Sequence, residues 1–378
     1  MLLRVQKIDL IGQRLGKLTV ISYEPKMAME LHDAEFTKPR VVLSSWVHAE
    51  VIRLLETSCE VVSNETREAL ERKELLRRCR DAFGLMAFMS ERIDDSFLAE
   101  CPNLRIIACA LKGYDNFDME ACTRRGVWLT IIPDLLTAST AELTIGLMIA
   151  LGRNVLPGDR LIRSGRFRGW RPILYGQGIN GSTVGFFGAG AVGQAIARRL
   201  SGFNATLLYA DEVSLSPDQE GELRIRRVPP EELLTQSDFV ALCLPLQAST
   251  RHLVNADFLR AMKPGAMLVN TARGSLVDEA AVAEALETGT LGGYAADVYA
   301  FEDWALTDRP NEIPEALLNA MDRTVLTPHI GSAVDRVRQE IALQAARSVL
   351  QALRGEVPYG AVNRPELVKS GKSASGSA

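Results

Sequence analysis

From residue 38 to residue 330, short runs rich in β-branched and apolar residues alternate with stretches of helical period, and chains that alternate in this way fold as parallel sheets covered by helices. In a first block the β-type runs fall at 41–44, 60–63, 85–88, 105–109 and 128–131. A helical run at 139–153, placed after Pro133, separates it from a second block with runs at 182–187, 205–209, 239–244, 266–270, 293–298 and 323–326. The second block predicts a doubly wound sheet of about six or seven strands, with Arg224, Arg226 and Arg227 along an edge strand. The expected fold class is α/β with parallel sheets.

Composition narrows the function classes. With 47% hydrophobic and 24% charged positions in 378 residues, the chain has the make-up of a globular protein of two or three domains. Its 43 basic and 47 acidic residues are mixed, so no basic stripe marks a nucleic-acid partner. The most apolar window, 143–151, is far too short to span a membrane. Arg4 and Lys7 are not followed by an apolar core and a cleavage site, so no signal peptide is expected and cytoplasm is the simple reading. Six cysteines without a C-x-x-C pair and four scattered histidines indicate neither disulfides nor a metal site. Residues 1–37 fit no clear period and are expected to form an N-terminal extension. Residues 364–378, ending in small and polar residues, are expected to form a flexible tail.

The second block opens with a strand, then Gly188-Ala189-Gly190-Ala191-Val192-Gly193, then a helical run at 191–200. The G-x-G-x-x-G spacing alone occurs by chance. Between a strand and a helix it makes a tight turn and aims backbone N–H groups at a pyrophosphate. Asp211, 18 residues after Gly193, ends the next strand, where a carboxylate accepts hydrogen bonds from ribose hydroxyls and repels a 2′-phosphate. No Arg or Lys occurs from Glu212 through Pro217, so NAD is the expected cofactor. Arg273, Glu302 and His329 each follow the carboxyl end of a predicted strand, the edge at which doubly wound sheets bind ligands. Together they form an expected catalytic set: Arg for an anion, His for proton transfer, and Glu to orient and charge-stabilise the His.

These residues lie in stretches that resemble the D-2-hydroxyacid dehydrogenases: 185–193, Leu244-Pro245-Leu246, Asn270-Thr271-Ala272-Arg273-Gly274, Ala296-Asp297-Val298 and Thr327-Pro328-His329-Ile330-Gly331. The resemblance covers about residues 39–363. It implies a Rossmann-type NAD-binding domain, 137–329, and a smaller flavodoxin-like substrate domain split between 38–136 and 330–363. It also implies a homodimer built around the 139–153 helix and the adjoining loop. Thr140, Gly188, Gly190, Ala191, Val192, Gly193, Asp211, Cys243, Leu244, Pro245, Thr271, Ala272, Arg273, Asp297 and Gly331 are implied as cofactor-binding.

Within that family the departures resemble the phosphite-oxidising branch. The loop Ala110-Leu111-Lys112-Gly113 places a lysine at the mouth of the site, and Asp303 stands where the family usually has proline. Phosphite at neutral pH is largely a dianion, which a second cation beside Arg273 favours. The expected reaction is therefore oxidation of phosphite to phosphate by NAD, with His329 and Glu302 activating water and Lys112 and Gly113 binding substrate. Met89, Trp170, Tyr175, Ser332 and Arg338 are implied as lining or closing the pocket. The alternatives are a glyoxylate, hydroxypyruvate or lactate-type dehydrogenase, which needs the same Arg and His, and a cofactor-binding regulator.

Overall fold

The computed structural model describes residues 38–365. The expected N-terminal extension and all but the first two residues of the expected tail lie outside the described residues. A five-stranded parallel sheet has the order β2-β1-β3-β4-β5, from β1 (Arg40–Leu43), β2 (Glu60–Val62), β3 (Gly84–Ala87), β4 (Ile106–Cys109) and β5 (Trp128–Thr130). A seven-stranded parallel sheet has the order β12-β11-β10-β9-β6-β7-β8. Its strands are β6 (Thr183–Phe187), β7 (Thr206–Ala210), β8 (Ile225–Arg227), β9 (Phe239–Leu242), β10 (Met267–Asn270), β11 (Gly293–Ala296) and β12 (Thr324–Leu326). Six of these form the doubly wound order of a dinucleotide-binding sheet, and β12 extends it at one edge.

Both sheets are buried on both faces, which is why their strands read as nearly continuous apolar runs. All four residues of β3, β4, β9 and β11 are buried, and an apolar cluster lies on each side of each sheet. Two predicted runs end early for identifiable reasons. The run at 239–244 stops at Leu242, because Cys243, Leu244 and Pro245 turn aside to line a cavity. The run at 293–298 stops at Ala296, because the Asp297 carboxylate takes up the amides of a neighbouring loop.

The helix Thr137–Gly152 packs against the helix Ala191–Leu200 and against β10 and β11. The long helix Asp335–Leu353 returns to the five-stranded sheet, burying Ile341, Ala342, Ala345, Ala346 and Val349 in the cluster that includes Val41, Met86 and Ile106. Asn363 closes this domain: its Oδ1 accepts from the Leu129 amide at 2.8 Å and its Nδ2 donates to the Val127 carbonyl at 2.9 Å. All six cysteines are free, and burial holds their thiols up, Cys101 to about 11 and Cys122 and Cys243 to about 12, which suppresses the reactive thiolate. Among the described residues no helix is long and apolar enough to cross a membrane.

Candidate active site

The glycine turn between β6 and the helix Ala191–Leu200 gives each glycine a separate reason. Gly188 has φ +99°, and a Cβ there would stand 2.6 Å from the Cys243 carbonyl oxygen. At Gly193 a Cβ would stand 2.5 Å from the Gly188 carbonyl, so close packing of helix on strand requires glycine. Gly190 is different. Its φ is −70° and a Cβ would meet nothing within 4 Å, so this glycine leaves open space in front of the helix N-terminus and its first residues, Ala191 and Val192. A turn, a close packing and a clear approach are the three roles that a pyrophosphate-binding turn assigns to its glycines.

Beside the turn lies a cavity of about 830 Å³, lined among others by Gly190, Asp211, Arg227, Cys243, Leu244 and Pro245. The Asp211 carboxylate is held at its mouth, Oδ2 accepting from the Ala189 amide at 2.7 Å and Oδ1 from the Val213 amide at 3.0 Å. The window 212–217 indeed holds no cation, but pairing of β7 with β8 sets Tyr209 opposite Arg227. The Arg227 guanidinium therefore donates to the Asp211 carbonyl and the Ser214 hydroxyl, both at 2.6 Å. The expectation that these arginines merely line an edge strand misses that one of them borders the cofactor cavity.

At the same sheet edge, Arg273 leaves β10 with its side chain only 15% exposed. Its Nε and Nη2 donate to Oδ1 of Asp115 at 3.1 and 3.0 Å, and its Nη1 donates to the Ala272 carbonyl. Gly113 faces the same guanidinium: a Cβ would fall 1.5 Å from Nη2, so no larger residue fits without displacing it. Glu302, in the turn after β11, sets Oε2 3.1 Å from Nδ1 of His329 and Oε1 2.8 Å from the Tyr299 amide. His329 follows β12 with φ +53°, a conformation costly for a residue with a side chain.

The loop that bears this strain is clamped by Asp297. Its Oδ1 accepts from the Thr327 hydroxyl at 2.6 Å and the Ile330 amide at 2.8 Å, its Oδ2 accepts from the Gly331 amide at 2.7 Å, and its carbonyl accepts from the His329 amide. Asp297 was expected to touch the cofactor; within the chain its carboxylate accepts three hydrogen bonds from the loop, which leaves Oδ2 with room for a further donor. Burial raises its pKa, and these bonds oppose that rise. Thr140 lies beneath Gly331, and the Thr271 hydroxyl is 2.8 Å from that of Thr144, which joins the turn after β10 to the helix Thr137–Gly152.

The remaining expected residues divide. Arg338 points inward: its Nη1 reaches the Ala110 carbonyl at 3.3 Å and the Ser332 hydroxyl at 3.4 Å, its guanidinium lies over Phe88, and burial lowers its pKa. Met89, half-buried after β3, packs against the adjacent core and accepts from the Asn116 side chain. Trp170 and Tyr175 are 84% and 78% exposed on the arm after the helix Val155–Arg163, so among the described residues nothing covers either side chain. Sequence reasoning passed over Asp115 and read Asp303 only as a departure from the family's usual proline; Asp303 is buried, and its Oδ2 accepts from the Ser275 amide at 2.6 Å. Asp115 was legible only as the next charge after Gly113 in its loop.

Residues 145–331 match the profile of the family described as D-isomer specific 2-hydroxyacid dehydrogenase, NAD binding domain. A glyoxylate reductase of Pyrococcus furiosus is 39% identical over 337 residues, covering 88% of this chain and 97% of the relative. A glyoxylate reductase crystal structure from Paecilomyes thermophila superposes with a TM-score of 0.73 at 29% identity, over 85% of this chain and 97% of that one. An NADPH-dependent glyoxylate/hydroxypyruvate reductase from Sinorhizobium meliloti gives 0.72 at 28% identity, over 86% and 97%.

These relatives correct the expected substrate. Phosphite rested on Lys112 as a surplus cation beside Arg273, and the near full-length relatives are named for glyoxylate. The charge count explains the error. Asp115, three residues after Lys112, accepts two hydrogen bonds from Arg273, so its carboxylate offsets the charge that the lysine adds.

Proposed function

Because the chain belongs to the D-isomer specific 2-hydroxyacid dehydrogenase family, we propose that it interconverts a small 2-oxo acid of the glyoxylate and hydroxypyruvate class with its 2-hydroxy acid. NAD is its cofactor, and when bound it supplies hydride exchange at the substrate carbon. The observation that carries the reading is the pairing of Arg273, seated against Gly113, with the His329–Glu302 couple on the next strands of the same sheet edge.

The turn Gly188–Gly193 would hold the pyrophosphate. Asp211 would hold the ribose, with Cys243, Leu244 and Pro245 against the adenine side, and Thr140, Thr271, Ala272 and Gly331 would border the reactive end. Arg273 binds the substrate carboxylate, and Asp115 fixes the guanidinium so that little rotational freedom is lost on binding. His329 bonds to Glu302 through Nδ1, which leaves Nε2 to give a proton to the carbonyl oxygen in reduction and to take it back in oxidation. Glu302 stabilises the imidazolium that this cycle requires. Met89 and Lys112, after β3 and β4, Ser332, in the turn before the returning helix, and Arg338, on that helix, belong to the wall that closes over the acid.

The substrate domain is assigned 38–136 and 330–363 and the cofactor domain 137–329. The exposed arm bearing Phe167, Trp170, Ile173, Leu174 and Tyr175 supports the homodimer, since an apolar run of this kind needs cover. The test is a panel of glyoxylate, hydroxypyruvate and pyruvate with NADH, followed at the NADH absorbance. The expected order puts the first two well above pyruvate, with D-glycerate as the product from hydroxypyruvate. L-glycerate, or equal turnover of all three, would contradict the reading.

A further inference from the structure

Behind the Arg273 and Glu302 turns lies a carboxyl group that the proposed chemistry does not use. Glu279 opens the helix Glu279–Thr288, where first-turn acids ordinarily face water, yet it is only 5% exposed. Its Oε1 accepts from the Ala300 amide at 2.9 Å, and Ala300 begins the turn that ends in Glu302. The packing there leaves no slack: a Cβ on Gly274 would fall 1.8 Å from the Tyr299 carbonyl carbon and 2.1 Å from the Ala300 nitrogen. Its Oε2 is buried with no hydrogen-bond partner among the described residues, and so is the hydroxyl of Tyr294 on β11.

We infer that Glu279 is a positioning residue for the His329–Glu302 pair, holding the 299–303 turn in register through Ala300 and acting in its neutral form. The inference rests on the proton-transfer role proposed for that pair. A bare buried carboxylate oxygen is costly, whereas a protonated carboxyl leaves one acceptor for Ala300 and no charge to solvate. The groups facing it are Asp278 on its own helix, Glu302 and Asp303 on the turn, and Tyr294 and Tyr299 from the β11 side. Burial first, and these carboxylates after it, push its pKa up to about 7, against the opposing effect of the Ala300 amide. Once ionised it sets a further negative charge behind Glu302 and so changes the field at the proton-transfer pair. The turn thus couples the group to the proton-transfer pair.

The test compares the full chain with Glu279→Gln and Glu279→Ala. The glutamine keeps the acceptor and never ionises. Its kcat at pH 6 is expected within about two-fold of wild type, while the alkaline limb of the reduction profile moves about half a unit lower. The alanine frees the Ala300 amide, and kcat is expected to fall about ten-fold with the KM for NADH unchanged. A second series needs no substrate. The carboxyl keeps its proton in the folded state up to about 7 against 4.5 ordinarily, so wild type is favoured below 4.5 and loses stability relative to the glutamine variant as pH rises across that window. The melting temperatures of wild type and Glu279→Gln should therefore diverge from pH 4.5 to 7 and run parallel above it. A pH-independent difference, or a glutamine variant as impaired as the alanine, would overturn the inference. Failure of wild type on glyoxylate would count against the proposed reaction instead, since the profile can be taken with any 2-oxo acid it reduces and the melting series stands alone.

Discussion

The carboxyl edges of the two sheets are built differently. On the seven-stranded sheet the loops after β10, β11 and β12 hold one another: Glu302 bonds His329, Asp297 clamps the 327–331 loop, and Asp303 takes the Ser275 amide. On the five-stranded sheet the loop after β4 contributes by what it faces. Gly113 makes room for the Arg273 guanidinium, and Asp115 sets its charge and orientation. On the proposed function, the chemistry resides in the loops of the seven-stranded sheet, and the charge that meets the acid is set from the loop after β4. Separating the two requires substitutions that injure one edge and spare the other.

The largest effect is expected on the seven-stranded side. His329→Asn should lower kcat in either direction by about a thousand-fold, with NADH affinity in a fluorescence titration unchanged. Gly113→Ala strikes from the other domain, and the displaced guanidinium should reduce kcat/KM by about a hundred-fold, mainly through the KM for the acid. Asp211→Ala should raise the KM for NADH about ten-fold and bring NADPH closer to parity, because Arg227 stays beside the emptied position. Trp170→Ser should change kcat least of all and lower the apparent mass in sedimentation. A collapse of kcat with intact mass would place Trp170 in the site after all.

The cofactor edge was open to sequence reasoning because each of its residues ends a strand whose apolar run can be seen. That is how Arg273, Glu302, His329 and the glycine turn were found. The substrate edge was hidden. Asp115 meets Arg273 across 158 residues of chain, and no local spacing announces that pair. Counting Lys112 without it suggested a dianion. Arg227 reaches the cofactor cavity only because β8 lies beside β7 in the seven-stranded sheet. Asp297 was known only through the resemblance, and its hold on the 327–331 loop joins residues 30 to 34 positions apart. Glu279 escaped notice because an acid in the first turn of a helix normally needs no explanation.

The most direct measurement supplies the purified chain in parallel with NADH plus glyoxylate and with NAD plus phosphite, at one pH and enzyme concentration. Rapid loss of NADH absorbance is expected in the first cuvette and a flat trace in the second. Formation of NADH from phosphite, with glyoxylate inert, would contradict the assignment and show that Lys112 acts as a free second cation despite Asp115.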